Sequence, residues 1–99
     1  MAKFQLTNKA VEDLAGIWEY TYDTWSERQA NKYYALLLQA CQEISNEPKM
    51  GKEYDEVVIG IMGYLAYRHI IMYKKISSKE ILIVRILHCQ MDLKSKNIE

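Results

Sequence analysis

The sequence predicts an α+β fold, on three observations. Two amphipathic helical patterns stand next to each other, joined by a link of one or two residues. A short alternating apolar–polar run precedes them. Three strand-like runs follow, and the last two are apolar at nearly every position. The order is therefore strand, helix, helix, strand, strand, strand, without internal repeats or low-complexity segments.

Phe4-Gln5-Leu6-Thr7 alternates as a half-buried strand does. Thr7 is a good N-cap, and Glu12 and Asp13 are expected in or near the first helical turn, where carboxylates complement the helix dipole. Val11, Leu14, Trp18, Thr21 and Trp25 follow at spacings of three and four, with Ile17 and Tyr22 widening the stripe. That pattern predicts an amphipathic helix from about Asn8 to about Thr24. Ser26-Glu27-Arg28-Gln29 fits a capping box. The second helix carries Ala30, Tyr34, Leu37, Cys41 and Ile44 on its apolar stripe, and Pro48 ends it at Asn46-Glu47. So short a link makes the two helices antiparallel neighbours, a helical hairpin.

Lys49 to Ile59 reads as a connector with Gly51 and the acidic group Glu53, Asp55 and Glu56. The three strands are expected at Tyr64–Tyr67, His69–Lys74 and Ile81–Leu87, with Ser77-Ser78-Lys79-Glu80 as the turn between the last two. Strands apolar on both sets of alternate positions suit the centre of a sheet covered on both faces.

Ninety-nine residues make one domain with no room for a second core. Hydrophobic residues are 49% and charged residues 26%, which suits a globular chain and not a disordered one. Thirteen basic residues balance thirteen acidic ones, so a whole-surface nucleic-acid binder is disfavoured. No apolar run reaches the roughly 18 residues a membrane helix needs. The start turns polar before a signal-peptide core could form, and a cytoplasmic location is expected. Cys41 and Cys89 have no CxxC spacing and no Cys/His cluster around them, so reduced thiols are expected in place of a disulfide or metal site.

Chemistry concentrates near the end. Ile83-Val84-Arg85-Ile86-Leu87-His88-Cys89-Gln90-Met91-Asp92 sets one cation inside an apolar strand. Such a cation needs a partner or a use. Asp92 or the connector carboxylates could pair with Arg85, or Arg85 could contact a target; the sequence leaves both open. His69 and His88 each end an apolar strand, where a hydrogen-bonded structural role is common. Arg68 and His69 are consecutive, so on a strand they face opposite ways. Eight tyrosines against one phenylalanine suggest partly wet aromatic surfaces of the kind found at interfaces.

The ending Arg85-Ile86-Leu87-His88-x-x-Met91-Asp92 resembles the closing strand of ParE toxins, within the RelE/ParE superfamily of bacterial toxin–antitoxin modules. Further segments resemble the family in order. They are Asp13-Leu14-x-x-Ile17-Trp18-x-Tyr20, Trp25-x-x-x-Gln29-Ala30-x-x-Tyr33, Glu47-Pro48-x-x-Gly51 with Asp55-Glu56, and Arg68-His69-Ile70-Ile71-Met72-Tyr73. The resemblance covers most of the chain. It departs at Tyr67, where the family usually has glycine, and at Met62, Gly63 and Gln90, where it often has basic residues. Tyrosine accommodates positive φ poorly, so a different backbone is expected at that turn.

The resemblance implies a helical hairpin packed on one face of a small antiparallel sheet. It also implies a toxin of a type II toxin–antitoxin system that inhibits DNA gyrase by binding, without a cofactor or catalytic residue. A ParD-like antitoxin would neutralise it through a segment that folds on binding. DNA would be met only through gyrase or the antitoxin. Candidate target contacts are Arg68, His69, Arg85, His88, Met91 and Asp92. Candidate antitoxin contacts are Trp18, Tyr22, Tyr33, Tyr34, Tyr64 and Tyr73. The alternatives are a RelE-type ribosome-dependent nuclease of messenger RNA and a non-toxic remnant that only binds antitoxin. The Leu87-His88-x-x-Met91-Asp92 ending and a neutral net charge favour the gyrase-directed binder over the nuclease, and sheet lysines are few.

Overall fold

The computed structural model describes residues 2–89. Strand β1 (Lys3–Leu6) leads into helix α1 (Asn8–Thr24), and helix α2 (Glu27–Asn46) returns beside it. A 3-10 turn (Pro48–Met50) and a two-residue strand β2 (Lys52–Glu53) follow. Strands β3 (Met62–Ala66), β4 (His69–Ser77) and β5 (Glu80–His88) complete the described residues.

Local chemistry accounts for the helix ends. The Thr7 hydroxyl accepts a hydrogen bond from the Ala10 amide at 3.0 Å, and the Ser26 hydroxyl accepts one from Gln29 at 3.1 Å. Each removes one otherwise unpaired donor of a helix N-terminus. Pro48 stops α2 at Asn46, as expected. Glu12 and Asp13 lie beyond the first turn of α1, which carries no acidic residue. Dipole complementation is therefore not their role, and Asp13 has another.

The sheet runs β1-β5-β4-β3-β2. Neighbours β2 to β5 are antiparallel, whereas β1 lies parallel to β5, with Lys3 opposite Glu80 and Leu6 opposite Ile83. The sheet is therefore mixed. Alternation along Phe4-Gln5-Leu6 marks a strand but not its partner's direction. That direction is set when the chain comes back through three strands to the edge beside β1. The pairing at Lys52–Glu53 also lies inside the segment expected to be only a connector.

Both faces of the central strands are covered. On one, the hairpin sets Ala10, Leu14, Leu37, Cys41 and Ile44 against Ile71, Tyr73, Ile81, Ile83 and Ile86. On the other, the segment 54–61 folds back, so that Ile61, with Tyr54, Val57 and Val58, packs on Ile70, Met72, Val84 and Leu87. Side chains of this size contribute about 1.5–3 kcal/mol each when fully buried. Gly51 sits where any Cβ would collide with the Tyr73 hydroxyl, which donates to the Pro48 carbonyl at 2.6 Å.

Among the described residues no buried side-chain nitrogen or oxygen lacks a hydrogen-bond partner, and no helix is long and apolar enough to cross a membrane. Both cysteines in this range are free, and burial pushes the Cys41 thiol up to about 12.

Candidate functional site: a groove between the helical hairpin and the sheet end

β1 ends at Leu6, opposite Ile83, but β5 continues to His88. Beyond that point the outer edge of β5 would be open. Side chains at the start of α1 take the place of the missing strand. The Thr7 amide donates to the Ile83 carbonyl at 3.1 Å, and the Thr7 hydroxyl donates to the Val84 carbonyl at 2.7 Å. The Asp13 carboxylate accepts from the Ile86 amide at 3.0 Å. A register shift lies at the same place: Val84 and Arg85 together oppose Met72 between the pairs Tyr73–Ile83 and Ile71–Ile86. Such a bulge bends the strand and re-aims a side chain.

That side chain is Arg85. Its Nε and Nη2 donate to the two oxygens of Asp13, at 2.7 and 3.0 Å. The paired side chains are only 17% and 15% exposed. The hydrogen bond to Asp13 raises the Arg85 pKa further, against the smaller opposing effect of burial. Asp92 lies outside the described residues, and among those described the carboxylate that Arg85 meets is thus on α1 and not in the connector. Sequence separation of 72 residues hid it, although Asp13 already stood in one of the family-like segments.

Past this pair the hairpin and the strand ends diverge, leaving a groove of about 760 Å³. One wall is the α1 face bearing Gly16, Ile17 and Tyr20, ending in Trp25 at the hairpin tip. The floor is Arg85, Ile86, Leu87 and His88, and the far side is Tyr33 with the turn Tyr67-Arg68-His69. Tyr20, Trp25 and Tyr67 are 69%, 73% and 57% exposed, so three large aromatics stand around the mouth without being buried.

Inside, a short polar chain ties α2 to the sheet. The Tyr33 hydroxyl oxygen accepts the Arg68 amide at 3.3 Å and lies 2.7 Å from His69 Nδ1. With its oxygen already accepting, the hydroxyl is set to donate to a neutral imidazole. Burial, and then the neighbouring His88, lower the His69 pKa to about 4, and Asp13 opposes them weakly. The two imidazoles meet edge to face at 5.4 Å. Burial also raises the Tyr33 pKa.

Arg68, His69, Arg85 and His88 thus all line one groove. Arg68 and His69 were expected to face apart; Arg68 lies in the turn before β4, outside the strand, where alternation does not apply. Met91 and Asp92 lie outside the described residues. The expected aromatic contacts do not form one surface. Trp18 and Tyr22 stack at 5.3 Å on the outer side of the hairpin, beside Tyr34, and Trp18 Nε1 donates to Asn31 at 2.9 Å. Tyr33 belongs to the groove, and Tyr64 packs half-buried against the core under the helices. Tyr73 is wholly buried and offers no surface to a partner. Sequence reasoning missed Gly16, Tyr20 and Tyr67 as groove residues. Tyr67 does have positive φ, +62°, so the turn keeps the conformation its tyrosine was expected to forbid.

The sequence profile of the family described as "ParE toxin of type II toxin-antitoxin system, parDE" matches residues 4–93. The chain belongs to the ParE toxin family. It is 32% identical over 92 residues to Toxin ParE1 of Mycobacterium tuberculosis, covering 93% of this chain and 94% of that one. It is 26% identical over 95 residues to Toxin ParE1 of Caulobacter vibrioides, covering 96% and 97%. A solved structure described as the chromosomal ParDE TA system from P. aeruginosa superposes with a TM-score of 0.75, covering 89% of this chain and 96% of that one. At 20% identity this last match speaks for the fold alone. The chain is thus a ParE-type toxin component of a type II toxin–antitoxin system, and that class implies an antitoxin partner.

Proposed function

We propose that this ParE toxin acts in the cytoplasm, as a single domain, by binding DNA gyrase and stalling it on cleaved DNA. On this reading a ParD-like antitoxin neutralises it by laying a segment in the groove between hairpin and sheet. The observation that carries the reading is the character of that groove. Its walls are aromatic and aliphatic, its mouth is ringed by exposed Tyr20, Trp25 and Tyr67, and the charge on its floor is already paired in Arg85–Asp13. Such a surface suits a protein segment. Arg68 and His88 lie in the same groove, so an antitoxin seated there covers the target contacts, with Met91 and Asp92 following directly in the sequence. Trp18, Tyr22 and Tyr34 would extend the antitoxin contact along the outside of the hairpin.

The same geometry speaks against the nuclease. Phosphodiester cleavage needs cations on the phosphate and an acid and base on either side of it. Here Arg85 is engaged by Asp13, and the two imidazoles touch each other, which leaves no space for a phosphate between them. Purified gyrase, plasmid and the toxin should accumulate cleaved DNA, and induction without antitoxin should trigger a DNA-damage response. Cleavage of messenger RNA on purified ribosomes, with gyrase unaffected, would replace this reading with the nuclease. A toxin without effect on growth that still binds antitoxin would leave the non-toxic remnant.

A further inference from the structure

Two residues of the groove are poor choices for the backbone that carries them. Gly16 sits in the interior of α1, where glycine is among the least favourable residues. Nothing in the fold asks for it there, because a Cβ at Gly16 would meet no atom within 4 Å. Tyr67 stands at φ +62°, a left-handed conformation in which glycine is the comfortable residue and a bulky side chain is strained. Its ring is not held by burial, since the residue is 57% exposed and meets Tyr33 only edge-on at 6.0 Å. Glycine thus occupies a place that favours a side chain, and a side chain occupies a place that favours glycine. Both line one groove, on opposite sides. Local conflicts of this kind, unexplained by packing, are expected where a site has been shaped for a ligand.

We infer that Gly16 and Tyr67 determine which partner segment the groove accepts: Gly16 admits a bulky apolar side chain close against the α1 backbone, and Tyr67 closes over it from the turn. The occupant is a segment of the antitoxin, so the inference rests on the reading above and goes further, to the partner's chemistry. The segment presents one large aliphatic or aromatic residue to the hollow over Gly16. It also presents a carboxylate to Arg68, which is exposed beside Tyr67 and is the groove's cation that Asp13 does not neutralise. The Arg68 amide is already engaged by Tyr33, which fixes the turn but leaves the guanidinium to a partner.

The test uses the full chain and a ParD-like antitoxin that co-purifies with it. Gly16→Ala should raise the melting temperature by roughly 4 °C, because it improves the helix without a clash. It should weaken antitoxin binding at least tenfold, and Gly16→Leu should weaken it more. Tyr67→Gly should leave the melting temperature unchanged or higher and weaken binding to a similar degree. Lys75→Ala, far along β4, should change neither. A fall in melting temperature for Gly16→Ala, or a drop of more than a few degrees for Tyr67→Gly, would show that the fold requires these residues and would overturn the inference. So would variants that bind as tightly as the parent while amide-shift mapping places the antitoxin in the groove. Mapping that places it elsewhere would instead remove the reading on which the inference rests, and the inference with it.

Discussion

Removing the Asp13 carboxylate should destabilise the fold more than any other single surface-accessible change. Three hydrogen bonds converge on it: two from the Arg85 guanidinium at 2.7 and 3.0 Å and one from the Ile86 amide at 3.0 Å. Hydrogen bonds to charged groups are worth about 1.5–3 kcal/mol, and a neutral one about 1 kcal/mol. They do not add fully, and breaking one partner of a buried pair costs about 3–5 kcal/mol. The pair keeps some contact with solvent, at 17% and 15% exposure, so the low end applies, about 3 kcal/mol. For a domain of 99 residues, about 5 °C of melting temperature accompanies each kcal/mol, so Asp13→Ala should fall by about 15 °C. Arg85→Ala should lose less, because the carboxylate keeps the Ile86 amide. The double variant Asp13→Ala/Arg85→Ala should recover part of the loss, since no charge is then left half-buried. Thermal and urea unfolding of the four proteins gives the coupling directly. Single losses below about 1 kcal/mol that simply add in the double variant would refute the reasoning and make the pair a surface ornament.

Two further outcomes test other parts of the structure. His69 has a folded-state pKa of about 4 against an ordinary 6.5, so the folded state binds fewer protons than the unfolded one across that window. Stability should therefore fall as the pH drops from 6.5 towards 4, by on the order of 1 kcal/mol given the half-exposed site, and His69→Gln should flatten that limb in pH-dependent unfolding. Gly51→Ala should cost about 1–3 kcal/mol by forcing its methyl onto the Tyr73 hydroxyl, whereas Gly51→Ala combined with Tyr73→Phe should be milder; equal losses in the two would count against the close approach.

Much of the architecture follows from local pattern. Helix α1 spans Asn8–Thr24 as its three–four spacing requires, and Thr7 and Ser26 cap the helices because their hydroxyls reach the first free amides. The near-continuous apolar content of β4 and β5 anticipated strands covered on both faces. These are short-range properties: a period, a cap and a helix-ending proline act within a few residues of themselves. The family-like segments added the tertiary arrangement, which no single period contains.

What the tertiary structure alone decided are relations between distant residues and the shape they enclose. The sequence marked Arg85 as a cation in want of a partner but could not choose Asp13 from among thirteen acidic residues, because the choice depends on β1 ending one residue before α1 begins its cover of the β5 edge. It marked eight tyrosines as interfacial in character but could not separate the wholly buried Tyr73 from the exposed Tyr67, since each follows apolar residues and precedes basic ones along the chain. Tyr67 was read by its stereochemical preference, and the structure departs from that preference. A two-residue turn between paired strands imposes its backbone angles on whatever residue it holds, and the ladder from Met62–Tyr73 to Ala66–His69 supplies the energy to do so. Helices, strands and their ends are thus properties of neighbouring residues, whereas the groove exists only where α1, the β3–β4 turn and the end of β5 meet.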